Sequence, residues 1–147
     1  MAELMVHVGL GWGVFKCGIK GQYLDFGMPI SYTTNAPMET LDAICTSLHD
    51  NKSLHLEYDA EDKGFWSIDA NDERVIATRE EETGTISYEL DITKKALMKQ
   101  LVSDIMDDVD GWANFCFDEE NMIENKKSIT IIGSKCLTLL KGENHGL

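Results

Sequence analysis

Carboxylates are the groups this sequence offers most freely for chemistry, and their densest run lies between Asp104 and Glu120. That stretch holds Asp104, Asp107, Asp108, Asp110, Asp118, Glu119 and Glu120, with no Lys or Arg. Acids so close together suggest a cation site, acid–base catalysis or a binding surface. Asp108-Val109-Asp110-Gly111 has the spaced carboxylates and glycine of a calcium loop. Counting Gly111 as the sixth position puts Met106 first and Phe117 twelfth, and neither side chain supplies an oxygen. Carboxylate pairs are abundant along the chain, so no single pair singles out acid–base work.

The other reactive types give no motif. Gly9-Leu10-Gly11-Trp12-Gly13 has its third glycine one place early for a dinucleotide loop, and no long helix follows it. No phosphate-binding Gly-Lys-Ser/Thr sequence occurs. His7, His49, His55 and His145 form no i,i+4 pair and have no cysteine at ligand spacing. Cys17, Cys45, Cys116 and Cys136 are far apart, without a CxxC pair, and read as reduced core thiols. No cofactor, metal ion or catalytic group is expected, and the chain reads as a binding protein rather than an enzyme.

The placement of the acids is more informative than their number. Asp107, Asp108 and Asp110 fall near the expected end of a helix, where the dipole disfavours negative charge. Acid placed against the dipole suggests a use other than stability, and Trp112, Phe115 and Phe117 lie among these residues. Aromatic rings inside a one-sign patch resemble an interface; the plainer reading puts Trp112 and one phenylalanine in the core. A second concentration runs from Glu57 to Asp91, with twelve acids against Lys63, Arg74 and Arg79. Glu80, Glu81 and Glu82 mark a turn within it. Such runs are usually a solvated face, yet they also present carboxylates to a basic groove. The candidate partner-binding residues are therefore Asp104, Asp107, Asp108, Asp110, Trp112, Asp118, Glu119, Glu120, Glu80, Glu81 and Glu82.

The elements that position these groups follow from hydrophobic periodicity. Glu3 to Tyr32 carries β-type residues broken by glycines, which predicts two or three strands with turns at residues 9–11 and 20–22. Thr34 or Asn35 caps a helix from about Pro37 to His49, with Met38, Leu41, Cys45 and Leu48 on its apolar stripe. Asp50-Asn51 ends it. Leu54, Leu56 and Tyr58 alternate with polar residues, and three further strands follow around Phe65–Ile68, Arg74–Thr78 and Ile86–Ile92. Asp62-Lys63-Gly64, Ala70-Asn71-Asp72 and Thr83-Gly84 make the turns. Thr93 caps a second helix carrying Leu97, Leu101, Ile105, Val109 and Trp112. Beyond Trp112, Asn114–Glu124 reads as helix or loop, Ile129–Ile132 as a strand, and Cys136–Leu140 as either. The expected fold is α+β: an antiparallel β-meander sheet with two main helices packed on one face, in a single domain over 1–147 with a poorly ordered tail at about 142–147.

Composition bounds the partner. The chain has 147 residues with 26 Asp+Glu against 13 Lys+Arg, a formal net charge of -13. That field repels nucleic acid and anionic membrane and attracts basic proteins. Met1–His7 lacks the basic start of a secretory signal, and no apolar run is long enough for a membrane helix, so a cytoplasmic protein is expected.

The run Ile30-Ser31-Tyr32-Thr33-Thr34-Asn35-Ala36-Pro37-Met38-Glu39-Thr40-Leu41-Asp42-Ala43-Ile44 resembles a segment of a family of short bacterial proteins. In these, a strand ending in Ser-Tyr leads through a Thr/Asp cap into a helix. An acidic, aromatic strand follows, then a turn before an aromatic strand and another acidic strand. Leu54 to Thr78 keeps that order, with Gly64-Phe65-Trp66 at the turn. The similarity spans about a third of the chain, Ile30 to Thr78, and its motifs are structural. Such proteins look like the immunity proteins of polymorphic toxin and contact-dependent growth inhibition systems. The resemblance implies an inhibitor that binds a basic toxin domain, a nuclease first among the candidates, through an acidic surface. Two alternatives stay open: a non-catalytic subunit or adaptor, homo-oligomeric or not, whose acid serves solubility, and an enzyme without a recognisable motif.

Overall fold

Strands dominate the first two thirds of the chain because apolar residues there recur every second position, and helices the last third because they recur every third or fourth. A computed structural model of the protein describes residues 2–7, 12–31, 35–115 and 122–145, with the side chains of 2–12, Lys63 and 143–145 left aside. Strands β1 (Ala2–His7), β2 (Trp12–Gly18) and β3 (Asp25–Ser31) form an antiparallel sheet in that order. Helix α1 (Ala36–Asp50) leads to β4 (Leu54–Asp59), β5 (Phe65–Ala70), β6 (Val75–Glu81) and β7 (Gly84–Leu90), a four-stranded antiparallel meander. Helices α2 (Lys94–Asp107), α3 (Val109–Ala113) and α4 (Met122–His145) complete the chain.

The protein is thus α+β with an antiparallel meander, as the alternation predicts. The N-terminal strands make a second sheet rather than part of the first. Main-chain bonds join the two sheets: Lys20 N–H donates to the Glu89 carbonyl at 2.9 Å, and Asp91 N–H to the Gly18 carbonyl at 2.8 Å. Phe15, Phe26, Tyr58, Trp66 and Tyr88 fill the space between them. Tyr58 stacks on Trp66 with centroids 4.4 Å apart, and Phe15 lies 5.3 Å from Trp66. Each such ring contributes roughly 1.5–3 kcal/mol by leaving water. The buried polar ends are satisfied. Trp66 Nε1 donates to the Pro29 carbonyl at 3.0 Å, and Tyr58 Oη shares a proton with Thr40 Oγ1 at 2.6 Å.

Helix ends follow local chemistry. Pro37 sits in the first turn of α1, where a missing N–H costs nothing, while Asn35 caps without a side-chain bond. Asn51 stops α1 in the left-handed region at φ 54, which asparagine tolerates. Thr93 Oγ1 accepts from Ala96 N–H at 3.2 Å, the expected cap of α2.

The largest departure comes after Trp112. Ile129–Ile132 is not a strand, and two helices become three long ones plus the short α3. The β-branched run Ile129-Thr130-Ile131-Ile132 suggests a strand locally. The wider pattern decides: Ile129, Gly133, Cys136 and Leu140 are buried at spacings of four, three and four, one helical stripe laid on α1, α2 and α3. Cys136–Leu140 is helical for the same reason. Helix α4 continues through 142 to His145. The expected turn at 9–11, the Thr34 cap, residues 116–121 and residues 146–147 lie outside the described residues.

Candidate functional site: the open face of the second sheet

Alternation along β4–β7 divides the meander into two faces. Leu54, Leu56, Tyr58, Trp66, Ile68, Ala70, Val75, Ala77 and Leu90 turn inward and are buried. The outward positions line up in register. Asp59, Phe65, Glu80 and Thr85 form one row across the strands. Glu57, Ser67, Thr78 and Ser87 form the next, and His55, Asp69, Ile76 and Glu89 the third. The strand positions of this face carry Glu57, Asp59, Asp69, Glu80 and Glu89 but no Lys or Arg. Lys20 reaches it from the edge, pairing with Glu89 at 2.9 Å.

Phe65 is the one aromatic ring among these acids, 48% exposed. It borders a hollow of about 300 Å³ lined by Glu57, Trp66, Ser67, Thr78 and Glu80. A second hollow of similar size, beside α1, is lined by Glu39, Thr40, His55, Glu57 and Tyr58. His55 is held between two carboxylates: its Nδ1 lies 2.5 Å from Asp69 Oδ1, and its Nε2 3.0 Å from Glu57 Oε1. Those hydrogen bonds, Glu57's first and then Asp69's, raise its pKa and favour the imidazolium. Partial burial, then the charge of Glu57, raises the pKa of Glu39. The face is therefore negative, with one aromatic knob and one histidine held between carboxylates.

The candidate residues from the sequence fall on two separate layers. Asp104 is half-buried and accepts from Gln100 Nε2 at 2.8 Å. Asp107 is exposed. Asp108 ends α2 and begins α3, its Oδ1 accepting from Gly111 N–H at 3.1 Å. Asp110 lies in the first turn of α3 and pairs with Lys126 Nζ at 2.8 Å. Asp104 and Asp107 lie in the last turn of α2, where the dipole disfavours acid as expected, whereas Asp108 and Asp110 are offset by a second role, as cap and first turn of α3. Trp112 is 2% exposed and packs on Phe115 with centroids 5.2 Å apart. Its ring is part of the core and offers no surface to a partner. Asp118, Glu119, Glu120 and Phe117 lie outside the described residues.

On the other layer, Glu80 points outward on the acidic face, Glu81 turns inward to pair with Arg79, and Glu82 is exposed at the β6–β7 turn. Sequence reasoning missed Phe65 and His55 as site residues, and it counted Glu57, Asp59, Asp69 and Glu89 in the second acid concentration without singling them out from it. The signal was present: Phe65 is out of phase with Trp66 and Ile68, so it cannot share their buried face.

The thiols carry no obvious chemistry. Burial raises the pKa of Cys17, and pushes Cys136 up to about 12, where the thiol stays protonated. Among the described residues no group of three or more His, Cys, Asp and Glu side chains is placed to hold a metal ion. No helix among them is long and apolar enough to cross a membrane.

No family model, curated protein or solved structure matches the chain.

Proposed function

We propose that the protein is a non-catalytic binding protein that engages a basic protein through the open face of its second sheet. The biological form we favour is an immunity protein that neutralises a basic toxin domain, a nuclease first among the candidates. One observation carries this reading: carboxylates from all four strands share one face with the exposed Phe65, Asp59 and Glu80 beside it in its own row, and that face has no strand-borne Lys or Arg. An aromatic ring supplies buried contact area, and the surrounding charge steers a cationic partner and fixes register. A nuclease domain is cationic where it holds phosphates, so a carboxylate surface complements it. The overall charge of -13 adds to the attraction at long range.

The test is growth rescue. Basic toxin domains encoded in the same genome are expressed with this chain, and survival is scored. One toxin is expected to be neutralised, with rescue lost in the Phe65→Ser, Glu80→Lys double variant. Rescue unaffected by that variant removes the sheet face from the reading. Absence of rescue against every such domain removes the immunity assignment.

A further inference from the structure

The outer face of α4 is the chemical opposite of the open sheet. In a chain of net charge -13, this helix holds Lys126, Lys127, Lys135 and Lys141 against only Glu124 and Glu143. Its inner stripe is committed to α1, α2 and α3. On the outer side, Ile123, Lys127, Ile131 and Lys135 follow one another at intervals of four residues, all exposed. Ile123 is 65% and Ile131 67% exposed. A helix face that only meets water does not need isoleucines there, and residues four apart make the ridge by which helices pack together.

The hydroxyls nearby are already satisfied: Thr130 Oγ1 donates to the Lys126 carbonyl and Thr138 Oγ1 to the Ser134 carbonyl. Lys127, Lys135 and Lys141 have no carboxylate partner among the described residues. At its N-terminal end the ridge borders a groove of about 670 Å³ lined by Ala113, Met122, Ile123, Lys127 and Ile131. The Asp110–Lys126 ion pair sits on the same wall and ties α3 to α4 across it.

We propose that this face docks an acidic amphipathic helix of a partner protein. Apolar side chains of that helix enter the groove and cover Ile123 and Ile131, while its carboxylates meet Lys127 and Lys135. Four of the chain's 13 Lys and Arg residues fall on this one helix, so its charge is opposite to that of the open sheet. A bilayer fits less well: the apolar contact is two isoleucines beside a groove, far short of the continuous apolar face by which a helix lies in a membrane surface. The partner here differs in sign from the one proposed for the sheet, so either assignment stands or falls alone.

The probe is a fluorescein-labelled helical peptide with Leu and Glu alternating at intervals of four residues, titrated with the full chain and read by anisotropy. Saturable binding is expected at low ionic strength, weakened by about tenfold or more in the Lys127→Glu, Lys135→Glu double variant and in Ile131→Ser. Circular dichroism checks that each variant is folded, and Lys127→Gln with Lys135→Gln repeats the test without adding acid. Three outcomes overturn the proposal. These are absence of peptide binding, whether or not phosphatidylglycerol vesicles bind; equal binding of a peptide with Lys for Glu; or affinity indifferent to these substitutions. A dimer that forms through Ile123 and Ile131 and excludes the peptide would also replace the partner with a second copy of this chain.

Discussion

The open face of β4–β7 and the outer face of α4 are both regular surfaces mounted on the same core, yet their charge is opposite. The sheet sets Glu57, Asp59, Asp69, Glu80 and Glu89 on the same face as Phe65. The helix alternates Ile123, Lys127, Ile131 and Lys135 along one face. A net charge of -13 describes neither. Total charge sets the far field, but contact surfaces are read from parity on a strand and from the fourth residue on a helix.

The contrast can be broken most severely through the shared core. Trp66→Ala removes the ring that touches Phe15, Phe26 and Tyr58 and is expected to cost about 3–5 kcal/mol. Both faces should be lost together in urea denaturation followed by binding assays. A smaller change should separate them. Gly64 adopts φ 92, and a Cβ there would run into the carbonyl of Glu80. Gly64→Ala is expected to cost about 1–3 kcal/mol and to displace Glu80 beside Phe65, weakening the sheet's partner while leaving peptide binding at α4 intact.

The converse substitution lies at Asp108. Removing its cap by Asp108→Ala is expected to cost about 1 kcal/mol. It should loosen α3 beneath the α4 groove, with no effect on the sheet face, as read by amide exchange at Gly111 and Trp112. The smallest effect concerns pH. The folded state raises the pKa of His55 above its ordinary 6.5. Its stabilisation is therefore complete below that value and disappears as pH rises through the raised folded value. The difference in melting temperature between the protein and His55→Gln should shrink across that window, and an NMR titration of the imidazole locates it. Losing the imidazolium also frees Glu57 and Asp69, making the sheet face more negative while α4 is unchanged.

Much of the fold was legible because strong alternation leaves few choices: Leu54–Tyr58 and Phe65–Ala70 are strands for the reason their sequences state. The capping threonine at 93 and the stop at Asn51 were equally local. What escaped was decided by non-local packing. Ile129–Ile132 has strand-forming residues but lies in a helix because Gly133, Cys136 and Leu140 continue its buried stripe. Asp107 does end α2 against its dipole, but a second helix starting at Asp108, which gives Asp108 and Asp110 a favourable place, could not be read from periodicity. Of the two readings open for Trp112, core and anchor, the core one holds, and Phe65 is the ring left outside. Acid density is a property of the chain, while an anchor depends on which face of an element it occupies.

The stitch between the sheets bears on how the chain is made. Ile19 pairs with Leu90 across a loop of about seventy residues, and closing it costs chain entropy that grows with the logarithm of that length. During synthesis the three N-terminal strands emerge first, yet the strand they must join is completed only after β4, β5 and β6 have been made. Pairing of such distant segments is slow. Until β7 arrives, the Gly18 carbonyl and the Lys20 N–H lack their partners at Asp91 and Glu89, and the nascent chain is most exposed to mispairing at the moment when its acidic meander is half built.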